Sequence, residues 1–219
     1  MGALPRGFTC DDADGTLWNG TCIGLMLHHQ DLLGDLAWNL HPMRLFAAAL
    51  AAHVKLTQPA GVVDGEAEFS LGGQLTARAV HVAVRLDPAL LPEAPAKLRG
   101  DVSADLALVE FKGGRLIELR GRIEAHNLEQ TSGSTTPLGS YAVSFTGAGT
   151  DGALVGELHD LGGPLAVQGR LRMTPEPGFV LDGKVATRAS VSAELARQLQ
   201  MLGPPDAQGQ RSFSIANTF

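Results

Sequence analysis

The sequence lacks clustered basic residues, long apolar runs and an abundance of aromatic rings. Its 17 lysines and arginines are scattered, and the formal net charge is −6. Because binding to a phosphate backbone needs clustered positive charge, this composition argues against a nucleic-acid partner. The longest apolar run, residues 45–52, is far shorter than the roughly 20 residues of a membrane-spanning helix. Aromatic residues make up 5% of the chain, so we expect a core of Leu, Val and Ala.

The usual signatures of enzymes and cofactor sites are also missing. The sequence contains no G-x-S-x-G, no G-x-x-x-x-G-K-[ST], no H-E-x-x-H and no C-x-x-C. His28 and His29 are adjacent, and successive side chains of a strand point to opposite faces, so they cannot bind one ion together. Asp11, Asp12 and Asp14 lack the later carboxylate of a calcium loop and are expected in a solvated turn. We therefore predict no catalytic residue, no metal site and no cofactor.

The dominant pattern is an alternation of apolar and polar residues, which is typical of strands with one face in the core. It is clearest at residues 98–108, 165–173 and 179–185. Two prolines and a glycine lie within residues 174–178, so the last two runs are predicted to form a hairpin. Strand-like runs follow one another without intervening helices, and 27 glycines supply tight turns. This order favours antiparallel pairing.

One segment has the period of a helix. Leu195 and Leu199 share one face, Ser190 or Ser192 can cap the N-terminus, and Gly203 follows the last turn. We predict a mainly β fold, either a large antiparallel curved sheet, a β-sandwich or a half-open barrel, with one short C-terminal helix. It is expected to form a single domain over residues 1–219, in which residues 1–6 serve as a linker.

The two cysteines of the chain lie near its beginning. Cys10 and Cys22 are 12 positions apart. They either form a disulfide in an oxidising compartment or remain two buried thiols that behave as small apolar side chains. A two-residue turn at Asp14 and Gly15 would place Cys22 on the wrong face, so a disulfide requires a longer loop or a β-bulge.

Both tryptophans are interpreted as structural anchors rather than ligand platforms. On a regular strand Trp18 shares a face with Gly20 and Cys22. We expect the Trp18 ring, or a neighbouring strand, to lie across the bare backbone of Gly20. Trp38 shares the face of Leu36 on its own strand.

Several short motifs follow one another along the chain. They are G-T-L-W-N-G at 15–20, W-N-L-H-P at 38–42, P-L-G-S-Y at 137–141, D-L-G-G-P-L at 160–165, L-Q-M-L-G at 199–203 and, more loosely, Asp206, Gly209 and Arg211. In this order they resemble the periplasmic part of the type II secretion system protein N family. The resemblance gives a structural role to Gly15, Trp18, Gly20, Trp38, Pro42, Gly139, Asp160, Gly162, Gly163 and Pro164.

The resemblance implies an accessory component of the machine that exports folded proteins from the periplasm. It implies the periplasmic domain of a single-pass inner-membrane protein, with the outer-membrane secretin and the inner-membrane platform as partners. The cytoplasmic stretch and transmembrane helix at the start of that family are not matched here. The resemblance implies neither a cofactor nor an enzymatic activity.

Two functions fit this pattern. A non-enzymatic interaction module would bind partners through sheet edges and loops. Its candidate contact residues are Asp11, Asp12, Asp14, Thr131, Ser132 and Ser134. A hydrophobic-ligand carrier would instead hold a lipid in an apolar β groove, because residues 22–27 and 45–50 are apolar on both faces of a strand.

Overall fold

The computed structural model of the protein describes residues 8–27, 31–88, 97–131, 135–149, 151–173 and 178–218. The strands in these ranges, numbered in chain order, are β1 (Phe8–Thr9), β2 (Asp12–Gly15), β3 (Asn19–Leu27), β4 (Asp31–Leu40), β5 (Ala49–Gln58), β6 (Gly61–Ser70), β7 (Gln74–Leu86), β8 (Leu98–Lys112), β9 (Arg115–Gln130), β10 (Thr136–Ala148), β11 (Leu154–Gly162), β12 (Leu165–Met173), β13 (Gly178–Thr187) and β14 (Arg211–Thr218). A 3-10 helix covers Pro42–Ala47, and helix α1 covers Ala193–Gln200.

All these strands belong to one antiparallel sheet. From β3 to β14 each strand pairs with the next one along the chain, and β1 and β2 both pair with β3. The sheet is not closed, so it has one edge at β1 and β2 and another at β14. The predicted fold class is confirmed: the chain is mainly β, antiparallel, and carries a short helix near its C-terminus. A single open sheet is found rather than a sandwich.

The strand register gathers the apolar residues on one side of the sheet, which we call the apolar face. Directly opposite residues of an antiparallel pair point to the same side. One such row of partners crosses seven strands, and its members are Leu56, Val63, Val82, Ala104, Ile123, Val143 and Leu158. Charged residues occupy the other side, as in the pair of Arg170 and Glu157 at 3.1 Å. The alternation in the sequence therefore places apolar side chains on one side of the sheet and charged side chains on the other.

Buried apolar side chains form two clusters on the apolar face. Leu119, Phe145 and Leu154 come from β9, β10 and β11, and each is at most 6% exposed. They lie side by side on one sheet, with apolar residues of β8 and β12 packed around them. The second cluster joins Leu165 and Val185 to a helical residue. No second sheet covers the apolar face within the described ranges.

Helix α1 lies over the second cluster. Its Leu195 is 5% exposed and packs with Leu165 and Val185. The Ser192 hydroxyl accepts a hydrogen bond from the Leu195 N–H at 3.2 Å and so caps the first turn. Gly203, with φ of 96°, follows the last turn and precedes two prolines that cannot extend it. The sequence-predicted helix is confirmed, with Ser192 as its cap.

The two ends of the strands carry different connections. At one end, called the 3-10 end, lie residues 16–18, the 3-10 helix and the turns at 71–73 and 113–114. At the other, called the α1 end, lie the turns at 59–60 and 163–164 and helix α1. β1 also lies near the α1 end, because Phe8 pairs with Leu27 at the end of β3.

The pattern of the apolar run at residues 45–50 predicts a strand, but only part of the run forms one. Pro42 occupies the first turn of a 3-10 helix, where its fixed φ and missing N–H are tolerated. Ala48 then adopts a left-handed conformation with φ of 55°, and β5 begins at Ala49. The sequence pattern also does not predict β14, since Phe213 and Ile215 are its only large apolar residues.

Candidate functional site

A disulfide fastens the N-terminal edge of the sheet. The structure joins Cys10, which lies between β1 and β2, to Cys22 of β3, with their Cα atoms 5.6 Å apart. The connection is longer than a two-residue turn, because Gly15 pairs with Gly20. Gly24 adds an irregularity with φ of 64°. Both short edge strands are thereby attached to β3, and Cys22 is fully buried.

Trp38, not Trp18, lies across Gly20. A Cβ on Gly20 would come within 2.5 Å of the Trp38 ring. Trp18 precedes β3 and is 45% exposed. Of the two expected alternatives, the neighbouring strand covers Gly20, because Trp38 belongs to β4. The Trp38 indole N–H donates to the Leu17 carbonyl at 3.0 Å, and the Leu40 N–H donates to the Trp18 carbonyl at 2.6 Å. The strand therefore starts one residue after Trp18, and its loop is held against β4.

The acidic residues near the N-terminus do not form a turn. Asp12 and Asp14 belong to the exposed edge strand β2, and Asp11 directly precedes it. The carboxylates of Asp12 and Asp14 accept hydrogen bonds from the N–H groups of the residues that follow them. Across the described ranges, no group of three or more His, Cys, Asp or Glu residues could hold a metal ion.

The second group of candidate contacts is only partly described. The Thr131 hydroxyl and N–H both donate to the Lys97 carbonyl, at 3.1 and 2.8 Å. This connects the end of β9 to the start of β8. Ser132 and Ser134 lie outside the described residues.

The residues at 139 and 160–164 that carry the family resemblance meet at the α1 end. We call this group, with Arg188, the Asp160 clasp. Gly139 and Gly163 have φ of 105° and 125°, and a Cβ on Gly163 would lie 2.6 Å from the Cα of Gly139. The backbone of β10 therefore approaches the β11–β12 turn so closely that neither Gly139 nor Gly163 could carry a side chain. Gly162 and Pro164 flank Gly163 in this region.

The Asp160 carboxylate ties this turn to the segment before α1. It accepts hydrogen bonds from the N–H groups of Gly162 at 3.2 Å and Val167 at 3.1 Å. The Arg188 guanidinium donates to Asp160 Oδ1 at 2.6 Å and to the Leu165 carbonyl at 2.9 Å. Arg188 thus bridges β11, β12 and the chain that leads into the helix. The sequence alone does not reveal Arg188, because one arginine after a strand carries no motif.

The electrostatics of the clasp keep Asp160 ionised. Burial raises the pKa of Asp160, but the Arg188 hydrogen bond, the two backbone N–H groups and the Arg188 charge outweigh it and hold that pKa below its usual value. Nearby, burial and the Asp160 charge raise the pKa of Tyr141 to about 12. The Tyr141 hydroxyl donates to the Leu138 carbonyl at 2.6 Å. The polar groups of the clasp form hydrogen bonds with each other, so we interpret the Asp160 clasp as a structural feature rather than a reactive site.

The 3-10 end presents an apolar surface that the sequence analysis did not single out. Its strongly exposed members include Phe46 at 88%, Leu71 at 85% and Met43 at 76%. We call it the apolar end surface, and its residues are Leu17, Trp18, Met43, Leu45, Phe46, Leu50, Phe69, Leu71 and Leu75. Because soluble monomers rarely expose large contiguous apolar areas, such a surface is typical of a contact with another molecule.

The strand register brings part of the apolar end surface together. Leu50, Phe69 and Leu75 are successive partners on β5, β6 and β7 and so point to the same side. The Leu71 N–H donates to the Ala48 carbonyl at 3.3 Å, which brings the β6–β7 turn beside the 3-10 helix. The apolar run at 45–50 is the only sequence signal for this surface, and its pattern alone predicts a strand.

The family of the chain follows from comparison with known proteins. The family model described as type II secretion system (T2SS), protein N, matches residues 6–214. No curated protein and no solved structure matches the chain. In the described ranges no helix is both long and apolar enough to cross a membrane. Since the family model covers nearly all of the sequence, the chain belongs to the type II secretion system protein N family.

Proposed function

We propose that this domain is a non-enzymatic accessory component of the type II secretion machinery that links the inner-membrane platform to the outer-membrane secretin through protein contacts. The family supports a secretion component. The observation that carries the contact role is the apolar end surface, in which Phe46 and Leu71 are almost fully exposed. Exposed apolar anchors within a surface of several such residues are typical of protein interfaces.

The proposal includes a periplasmic location and a membrane anchor before β1. Phe8 pairs with Leu27, at the opposite end of β3 from Asn19. β3 has nine residues, so at a rise of about 3.4 Å per residue these two ends are about 27 Å apart. An anchor attached before β1 would therefore enter at the α1 end and direct the apolar end surface away from the inner membrane, towards the secretin.

A binding titration tests this role. The chain is titrated separately with the periplasmic domains of the secretin and of the platform, and the variants Phe46→Asp and Leu71→Asp are compared with it. We expect saturable secretin binding that each variant weakens at least about thirtyfold, because charging a central apolar contact costs about 2 kcal/mol or more. Met201→Asp is the matched control, since Met201 is 84% exposed at the α1 end.

The result that overturns the contact role is equally clear. Absence of binding to both partners, or equal losses for Met201→Asp and Phe46→Asp, would show that the apolar end surface does not carry the interaction. Loss of platform binding by Phe46→Asp, with secretin binding intact, would reverse the proposed direction. Circular dichroism of each variant confirms that it is folded.

A hydrophobic-ligand carrier is a second candidate, favoured by the apolar face. A row of apolar side chains crosses the sheet from Leu56 to Leu158, and in the described ranges only α1 forms a layer over that face, at one end. A sheet with one apolar face normally buries it against a further layer. Native mass spectrometry of gently purified protein should then detect bound lipid. Its complete absence would exclude the carrier and leave the contact role untouched.

A further inference from the structure

The two edges of the sheet differ in how they resist pairing with another strand. At the N-terminal edge, β1 has two residues and β2 has four, and Asp12 and Asp14 of β2 are exposed. The disulfide holds both strands on β3. Very short strands and exposed charges are features by which natural edges prevent further pairing.

The C-terminal edge has none of these protections. β14 has eight residues and pairs in unbroken register with β13, and within the described ranges it has no strand on its other side. Arg211 is its only charged residue, and it contains no proline. Every second residue of an edge strand directs its backbone N–H and C=O outward. β14 therefore presents a regular row of donors and acceptors to another strand.

The sequence of β14 is close to symmetric about Ser214. Phe213 and Ile215 flank Ser214, and the small residues Ser212 and Ala216 lie outside them. Phe213 and Ile215 continue the apolar face, because they lie opposite Gly183 and Leu181 of β13. Ile215 is 51% exposed there.

We propose that β14 pairs antiparallel with β14 of a second copy of this chain, with Ser214 opposite Ser214 on a twofold axis. In this register Phe213 lies opposite Ile215 of the other copy on the apolar face. Ser212 lies opposite Ala216 on the other face. The two sheets join into one, and the apolar face continues across the junction.

The other registers fit less well. A shift of one residue would place apolar residues of one copy on the polar face of the other. Shifts of two residues would place Ile215 opposite Arg211 or Phe213 opposite Asn217. The proposed register alone pairs both large apolar residues with apolar partners. This self-complementarity favours a second copy over an unrelated strand, and a twofold arrangement is the commonest form of homodimer.

Site-directed disulfide formation tests the register. Both native cysteines are joined to each other, so Ser214→Cys introduces a single free thiol. Directly opposite Cβ atoms in an antiparallel pair are about 5 Å apart, close to the separation that a disulfide needs. We expect covalent dimers of Ser214→Cys under mild oxidation. Ser212→Cys is the matched control on the same strand and face. Its two copies would be about 13 Å apart along the strands, so this variant should form no covalent dimer.

Sedimentation equilibrium of the whole chain tests whether the pairing occurs without a cross-link. A single strand pair is a small interface, so we expect a concentration-dependent dimer of the kind found for interfaces below about 1,000 Å². Ser214→Lys should abolish it, because two lysines would face each other on the axis. This variant keeps its pairing with β13, where residue 214 lies opposite Asp182. The neutral Ser214→Thr should retain the dimer.

Three results of the cross-linking and sedimentation experiments would overturn the proposal. They are a monomer at every concentration together with no Ser214→Cys dimer, equal cross-linking of Ser212→Cys and Ser214→Cys, and a dimer that Ser214→Lys leaves unchanged. Protection of β14 amides from hydrogen exchange only when a secretin domain is added would assign this edge to a partner strand and also exclude self-pairing. None of these results decides whether the apolar end surface binds the secretin, so the two proposals fail independently.

Discussion

The two ends of the strands differ in how far other residues cover them. We call the α1 end closed, because helix α1 and the Asp160 clasp lie there, and the 3-10 end open, because the apolar end surface is exposed there. At the α1 end, Asp160 and Arg188 connect turns to one another, and Leu195 covers the apolar face. At the 3-10 end, Phe46 and Leu71 project from a helix and a turn with little contact. The polar groups of the Asp160 clasp form hydrogen bonds with each other, whereas the side chains of the apolar end surface are exposed to solvent. The residues around α1 therefore contribute to stability, whereas Phe46 and Leu71 are free to bind another molecule. The 3-10 end is not exposed throughout, since the buried cluster of Leu119, Phe145 and Leu154 lies at that end of β9, β10 and β11.

The largest expected effect comes from removing the apolar cover at the closed end. Leu195→Ala should lower the free energy of unfolding by about 2–4 kcal/mol, because Leu195 is buried against Leu165 and Val185. Phe46→Ala, at the open end, should change it by less than about 0.5 kcal/mol, as exposed positions usually do. Urea denaturation of both variants measures the difference. Equal losses would contradict the division between the two ends.

The next effect concerns the charge in the Asp160 clasp. Asp160→Asn should lower the free energy of unfolding at pH 7 by about 1–3 kcal/mol, since it removes hydrogen bonds to a charged group. The folded-state pKa of Asp160 is depressed, so its contribution is present above the unfolded value of about 3.9 and is lost as pH falls through the folded-state pKa. Denaturation at pH 7 and at low pH measures this.

The pH dependence separates a charge effect from a packing effect. The difference between the native protein and Asp160→Asn should begin to shrink as the pH falls below about 4, where the unfolded carboxyl takes up a proton. It should vanish as the pH falls through the lower folded-state pKa, because the native carboxylate is then neutral as well. A difference that stays constant over the whole range would mean that the carboxylate charge does not hold the clasp. Glu157→Gln serves as control, since its ion pair with Arg170 is largely exposed and contributes little.

The smallest effect is spectroscopic. Tyr141 is the only tyrosine of the chain, so absorbance near 295 nm follows its ionisation alone. Its midpoint should lie near pH 12, because burial and the Asp160 charge raise its pKa. Asp160→Asn should lower that midpoint by removing the negative charge. An ordinary midpoint near pH 10 in the folded native protein would show that the clasp is open in solution.

The period-two alternation predicted much of the sheet. Runs such as 98–108 and 165–173 became β8 and β12 because alternation directly specifies one buried and one solvated face. The helix was predicted for the same local reason, since Ser192 and Gly203 mark its ends. These features depend only on residues close together in the sequence.

The missed features depend on contacts between distant residues. Residues 45–47 are apolar enough for a strand, but they lie in a 3-10 helix that ends before the left-handed Ala48. The β6–β7 turn, more than twenty residues later, bonds to Ala48 through the Leu71 N–H. Arg188 has no neighbours in the sequence that reveal its bond to Asp160. Trp38 rather than Trp18 lies across Gly20 because β3 and β4 pair with Gly20 opposite Trp38.

By itself the sequence determined a mainly β chain with turns at its glycine pairs, a capped C-terminal helix and an ordered set of motifs that indicates the protein N family. These follow from periodicity and local conformational preference. The tertiary structure alone decided which residues meet across strands: the disulfide of Cys10 with Cys22, the Asp160 clasp, the apolar end surface and the unprotected β14 edge. The reason is physical, since register and loop closure place residues far apart in sequence within a few ångströms.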